Sequence, residues 1–329
     1  MSTPLRQLAS LLFSAMFAGA ISLMAASVQA QAFPAKPVRL IVPYAPGGSA
    51  DIAARLVAED WGKALGQSIF IENKAGASGN IGVDAVAKSA ADGYTIGLQT
   101  VSLAINPALF PKMPYDTLKD LTPIGMVASS QHVLVVNNAL PVKNIKELIA
   151  LAKSQPGQLN YGSAGSGSTF HMSAELFKSV ANVFMVHVPY RGGDPALVDT
   201  IGGQVNLSFP VISAAQQHVQ AGKLRALGVT GAKRSALMPN VPTIAEAGLP
   251  GYNFETWFMV VAPTGTPKDV IEKLNTALNK ALATPALRER MSREAFEPTP
   301  STPEQARSRL TADMPMWAKL VKDRGIKMD

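Results

Sequence analysis

Three times in this chain a short apolar run stops at a glycine-rich loop and resumes at once as a helical pattern. The loops are Pro46-Gly47-Gly48-Ser49, Ser163–Thr169 and Tyr190-Arg191-Gly192-Gly193. Repeated strand–loop–helix junctions of this kind point to an α/β architecture. Each junction also leaves the first amides of a helix pointing outward, where the helix dipole adds partial positive charge. Ligands of open α/β sheets sit beyond the carboxyl ends of the strands, so each loop is a candidate anion cradle.

The rest of the chain keeps the same alternation. Val38–Val42 reads as a first strand and Asp51–Leu65 as a helix, with Ile52, Leu56, Val57, Trp61 and Leu65 as its buried stripe and Gly66 as its end. Strands follow at Ser68–Ile71, Thr95–Gln99 and Val133–Val136. Asn144 with Glu147 three residues on marks a helix start, as does Asp194 before Pro195. The segments "FMVVAP", "TGTPKDVIEKLNTALNKAL" and "TPEQARSRLTADMPMWAKLVKD" close the chain as a strand and two helices. The pattern predicts two lobes, each a mainly parallel sheet flanked by helices, and 329 residues suffice for a core in each.

Composition and spacing remove most catalytic classes. Hydrophobic residues at 47% against 16% charged describe a globular chain rather than a disordered one. Cysteine is absent, which rules out disulfides, thiol nucleophiles and cysteine metal sites. A phosphate loop fails because Leu224 follows Gly222-Lys223, and a dinucleotide fingerprint fails because Phe170 stands where the third glycine belongs. The serine-hydrolase elbow is unmatched around Ser163, Ser166 and Ser168, and around Ser78 Asn80 replaces its last glycine. His171 and Glu175 have a metal-sharing spacing but no third ligand nearby, so no metal and no cofactor are expected. The net charge of +7 is scattered, without a basic run or interleaved aromatics, which argues against nucleic acid; the excess suits either steering of anionic small molecules or an ordinary basic exported chain.

The N-terminus reads as an export signal over residues 1–32. Arg6 precedes a long uncharged stretch, and Val28-Gln29-Ala30 and Ala30-Gln31-Ala32 both present small residues suited to cleavage. The mature chain is then expected outside the cytoplasm.

Seven collinear segments carry a family resemblance: "PYAPGGSADIAAR", "ENKAGASGNIGVDAVAKSAADGYT", "NPALFPKMPYDTLKDLTPIG", "NYGSAGSGSTFHMSAELFK", "HVPYRGGDPALVDTIGGQV", "GKLRALGVT" and "VPTIAEAGLPGY". Together they resemble the Bug-type periplasmic solute-binding proteins of tripartite tricarboxylate transporters. The resemblance implies a clamshell (a type II-like periplasmic binding protein) with residues 33–130 plus 255–329 in one lobe and 131–254 in the other. It implies that Pro46, Gly47, Gly48 and Ser49, with Tyr44 beside them and Gln99 and Thr100 at a strand end, hold a ligand carboxylate in the first lobe. From the second lobe it implies Ser163, Gly165, Gly167, Ser168 and His171, with Tyr190, Arg191 and Gly192 on the rim and Ser208 and Phe209 nearby. Read from the residues alone, Arg191 suits either a bidentate carboxylate contact or a solvated position, and His171 either a polar donor or a packing residue.

Many relatives carry aspartate after the phenylalanine of the "QV-x-L-x-F" strand, where Pro210 stands here. An amino-acid ligand, whose ammonium such an acid would hold, is therefore disfavoured against a plain mono- or dicarboxylate, aromatic ones included. The implied partners are the carboxylate and the permease subunits of a tripartite transporter, or a sensor protein reading the same closed form, with the binding protein itself a monomer. The remaining alternative is a secreted hydrolase using Ser168 or Ser78 with His171, which the failed spacings disfavour.

Overall fold

Val38–Val42 forms the first strand (β1), and its end opens through the glycine loop into a helix over Ser49–Leu65 (α1). The computed structural model describes residues 33–327, so the export segment expected at 1–32 lies outside the described residues. After α1 come β2 (Ile69–Asn73), α2 (Asn80–Ala87), β3 (Thr95–Thr100), α3 (Ser102–Leu109) and β4 (Leu121–Ser130). A second set follows: β5 (Val133–Asn137), α4 (Ile145–Ser154), β6 (Asn160–Ser163), α5 (Thr169–Ala181), β7 (Val186–Pro189), α6 (Gly193–Gly202), β8 (Leu207–Ser208), α7 (Ile212–Gln220) and β9 (Leu224–Val229). The chain ends with β10 (Thr256–Pro263), α8 (Lys268–Leu282), α9 (Pro285–Arg293), β11 (Phe296–Pro298) and α10 (Pro303–Arg324).

The strands make two sheets, as expected for a two-lobed α/β fold. One has six strands in the order β11-β4-β10-β3-β1-β2, the other five in the order β7-β6-β8-β5-β9. The expectation of mainly parallel sheets needs correction, because both are mixed. β1 runs parallel to β2 and β3, and β6 to β7 and β8, but β10 is antiparallel to β3 and β4, and β5 to β8 and β9. The cause is the chain path. β4 leaves the first sheet and β10 returns beside it, and neighbours that leave and return must run in opposite directions.

Local chemistry explains which expectations held. α1 ends at Gly66, whose φ of 84° is left-handed, as a glycine C-cap requires. Its buried stripe is rotated from the expected one: Ile52 and Leu56 are half-buried, while Ala50, Ala53 and Ala54 join Val57 and Trp61 inside. Small alanines let the helix lie close, and the Trp61 indole donates to the Leu274 carbonyl on α8 at 3.1 Å. Asn144 caps α4 as expected, accepting from the Glu147 amide at 2.9 Å. α6 is capped differently: it starts at Gly193 with Gly192 as N-cap and no side-chain bond, so Asp194 lies inside the first turn. β4 carries no strand-like alternation and contains Pro123 and Gly125. Pro123 sits beside a register shift against β10, where a missing N–H is tolerated. A Cβ on Gly125 would come within 2.6 Å of the Asn275 amide nitrogen, which donates to the Ile124 carbonyl at 2.7 Å.

Between β4 and β5 the chain passes through His132, which is fully buried. Its Nδ1 donates to the Phe209 carbonyl at 2.8 Å, so Nε2 accepts from the Thr256 hydroxyl at 3.0 Å. The rings of Phe170 and Phe254 meet it edge-on at 5.4 Å each. Burial pushes the imidazole down to about 4, against the opposing pull of the Phe209 carbonyl.

A neutral histidine held in this way binds its proton more weakly folded than unfolded, so its contribution to stability is complete above the unfolded value of about 6.5 and is lost as pH falls toward about 4. The urea-unfolding free energies of wild type and His132→Gln should therefore converge on acidification, by something on the order of 3 kcal/mol. A gap that stays constant across that range would show that His132 is not held neutral.

Candidate functional site

The first glycine loop is exposed from Ala45 to Ser49, and Gly48 is the N-cap of α1 with no side-chain bond to the helix. The first amides of α1 therefore face outward without a capping group. What holds the loop in place is Asp51, which is 3% exposed. Its Oδ2 accepts from the Gly47 amide at 3.0 Å and from Arg55 Nε at 2.9 Å, and its Oδ1 accepts from Asn73 Nδ2 at 2.9 Å. Burial alone would raise this carboxyl, but the donors from Arg55, Gly47 and Asn73 outweigh it and hold it at about 2. Asn73 also donates to the Tyr44 carbonyl at 3.0 Å, tying β2 to the same loop.

Tyr44 and Thr100 are brought together, with their hydroxyls 2.8 Å apart. A Cβ on Gly79 would lie 3.2 Å from the Tyr44 hydroxyl, so the turn that leads into α2 abuts this tyrosine. That turn has positive φ at Gly76, Ala77, Ser78 and Gly79, two of them non-glycine residues in a strained region. Asn106 holds it by donating to the Ser78 carbonyl at 3.0 Å and to Asn80 Oδ1 at 2.9 Å, and Tyr115 donates to the same Asn80 oxygen at 2.8 Å. Gln99 is almost completely buried. Its Nε2 lies 2.8 Å from where a Gly97 Cβ would be and has no hydrogen-bond partner among the described residues.

The second loop is braced from below. The Ser163 hydroxyl lies 2.6 Å from His187 Nε2 and accepts the Gly165 amide at 3.1 Å. The Gly167 amide donates to His171 Nδ1 at 3.0 Å, and Ser168 caps α5 by accepting the His171 amide at 3.3 Å. These polar groups of Ser163, Gly165, Gly167, Ser168 and His171 are thus engaged inside the lobe. The third loop touches the second: a Cβ on Gly165 would meet the Tyr190 carbonyl at 3.3 Å, and the Tyr190 amide donates to the Ser163 carbonyl at 3.0 Å. The Tyr190 hydroxyl donates to Asp199 at 2.7 Å, and burial together with that carboxylate pushes the phenol up to about 12. Arg191 is exposed beside the uncapped start of α6. Ser208 and Phe209 are fully buried, with Ser208 accepting from the Thr200 hydroxyl at 2.9 Å.

Sequence reasoning located the loops but missed their supports: Asp51, Asn73, Asn80, Asn106 and Tyr115, and His187 under the second loop. Only Asp51 left a signal, an acid in the first turn of a helix that follows two glycines. No group of three or more His, Cys, Asp or Glu among the described residues is arranged to hold a metal ion.

Residues 53–326 match the sequence profile of the tripartite tricarboxylate transporter family receptors. The chain is 40% identical over 307 residues to protein BugT of Bordetella pertussis, covering 93% of this chain and 94% of that one. An R. palustris protein solved with adipate is 38% identical, covers 90% of this chain and 100% of its own, and superposes with a TM-score of 0.80. MatC from Rhodopseudomonas palustris, solved with bound malate, is 33% identical with 88% and 100% coverage and a TM-score of 0.75.

Removing the pin under the first loop should be measurable without any ligand. Asp51→Ala is expected to lower the unfolding free energy by about 1.5–3 kcal/mol, the worth of a hydrogen bond to a charged group. The Gly47 amide should lose protection from hydrogen exchange in the same variant. Unchanged protection there would mean that the loop is held by something other than Asp51.

Proposed function

The chain belongs to the tripartite tricarboxylate transporter receptor family, and on that premise we propose that it captures a small dicarboxylate in the periplasm and passes it to a membrane permease. The observation that carries this reading is the uncapped, exposed start of α1 at Gly48, held rigid by Asp51. A helix start without its own cap offers amides and partial positive charge to a carboxylate. The relatives solved with adipate and with malate support a ligand with two carboxylates.

In this reading Pro46, Gly47, Gly48 and Ser49 receive one carboxylate, with Tyr44, Thr100 and Gln99 shaping the wall. The second loop and the start of α6, with Arg191 and Gly192, receive the other. Ser163, Gly165, Gly167, Ser168, His171 and Tyr190 then serve chiefly to set the loop geometry, and Ser208 and Phe209 lie beneath it. Residues 33–130 with 255–329 form one lobe and 131–254 the other. A ligand that engages both lobes stabilises the closed form, whereas one that touches a single lobe leaves the equilibrium where it was. The role is one of binding without turnover, carried out by a monomer after removal of the leader. Pro210 in place of an acid favours a ligand without an ammonium group.

A thermal-shift screen of the mature protein against adipate, malate, aspartate and glutamate tests the reading. A bound dicarboxylate at a hundredfold excess over its Kd should add about 2.7 kcal/mol of stability. The absence of a shift with any dicarboxylate would overturn the reading, and stronger shifts with the two amino acids would overturn the part resting on Pro210. Gly48→Val should keep the wild-type melting point and lose the shift. Gly48 has an ordinary extended conformation, and a Cβ there would meet nothing closer than 3.5 Å, so the damage should fall on the ligand rather than on the fold.

A further inference from the structure

Beneath the second loop two imidazoles lie stacked, His171 on His187, with centroids 3.9 Å apart and planes within 8°. Tyr161 continues the stack at 5.0 Å from His187. Each histidine serves a different part of the loop. His187 Nε2 meets the Ser163 hydroxyl that receives the Gly165 amide, and His171 Nδ1 accepts the Gly167 amide itself. Gly165 and Gly167 stand at φ of 111° and 75°, so their peptide planes turn inward toward these acceptors. Of the first amides of α5, that of His171 is taken by Ser168, and those of Thr169 and Phe170 have no partner within the helix.

From this geometry we infer that His171 is a positioning residue for the second-lobe ligand loop, and that the loop's grip on a carboxylate requires its imidazole to be neutral. The inference rests on the functional reading above. Because Nδ1 accepts from an amide, the proton of the neutral ring sits on Nε2. Protonating Nδ1 sets two N–H groups against each other at 3.0 Å and removes the loop's anchor.

The charges around the ring work in both directions. Glu175, one turn along the same helix, has Oε1 3.8 Å from Nε2 and favours the imidazolium. That carboxylate is already engaged: Lys178 is paired with it, the Tyr161 hydroxyl donates to it at 2.6 Å, and Arg324 from α10 lies 3.5 Å away. Burial opposes the ionisation of Glu175, but Lys178, the Tyr161 hydroxyl and His171 together outweigh it and hold the carboxyl below its usual range. Lys178 and Arg324 oppose a new positive charge. A polar cavity of about 620 Å³ reaches both imidazoles and gives protons access, with Lys153, Asp323 and Lys327 on its rim.

The test compares wild type, His171→Ala and His171→Asn, titrated with adipate between about pH 8 and about pH 5, the range over which imidazoles change charge. Gly167 amide protection is followed by NMR in the same samples. His171→Ala should bind about three- to tenfold more weakly at the upper pH, the worth of one hydrogen bond, with Gly167 deprotected. His171→Asn, whose Oδ1 accepts in place of Nδ1, should restore most of that loss. It should also abolish the acid-dependent weakening that wild type shows after allowance for protonation of the ligand. An unchanged pH profile in His171→Asn, or full Gly167 protection in His171→Ala, overturns the inference. If wild type binds no dicarboxylate, the functional reading fails by itself. Gly167 protection still decides the positioning role, since it should fall with pH in wild type and not in His171→Asn.

Discussion

A loop that offers its backbone amides to a guest cannot use those same amides to hold itself in place. On the proposed function, the glycine junctions are organised around this constraint. Before α1 the burden falls on the buried Asp51 carboxylate, which takes the Gly47 amide and is itself neutralised by Arg55 at 2.9 Å. The Arg55 contact matters for chemistry as well as for strength, because an unpaired carboxylate so near the helix start would repel an incoming anion. Before α5 the burden falls on the imidazoles of His171 and His187, and around Gly76–Gly79 on the amides of Asn80 and Asn106. Different side chains solve the same problem each time, with donors or acceptors placed behind the backbone.

The segments that join the two sheets are built on a related economy. The Thr230 amide donates to the His132 carbonyl at 2.9 Å, and the Phe254 amide donates to the Thr230 carbonyl at 2.8 Å. Outgoing and returning segments therefore hydrogen-bond to each other where they leave the sheets. His132 fits here only as a neutral ring, since one nitrogen must donate to Phe209 and the other accept from Thr256. Desolvation enforces that state, and two phenylalanine rings enforce the desolvation.

Much of this was legible in the sequence wherever the cause is local. β1, α1 with its Gly66 terminus, and the Asn144 cap each depend on residues within a turn or two of one another. The failures have distant causes. β4 is a strand because β10 and β11 flank it, and its Pro123 and Gly125 make sense only beside Val261 and Asn275. α6 takes Gly192 as its cap although Asp194-Pro195 is the better local signal, and a Cβ on its first residue, Gly193, would come within 2.8 Å of the Phe170 ring. At the site, the glycines announced themselves while their supports did not. An aspartate in a first turn, or a histidine in another, looks the same whether it braces a loop, touches a ligand or faces water.

The position of β10 has a consequence for how the chain comes to be folded. β3 and β4 lie on either side of it and meet only through it. Neither can finish pairing until residues 256–263 are available, after the whole second sheet has been synthesised. Contacts this distant along the chain are slow to form, because the closure entropy must be met before any of them contributes. The strand that joins the two halves of the first sheet is thus also its clock, and it keeps the N-terminal third of the protein incomplete until late in the life of the nascent chain.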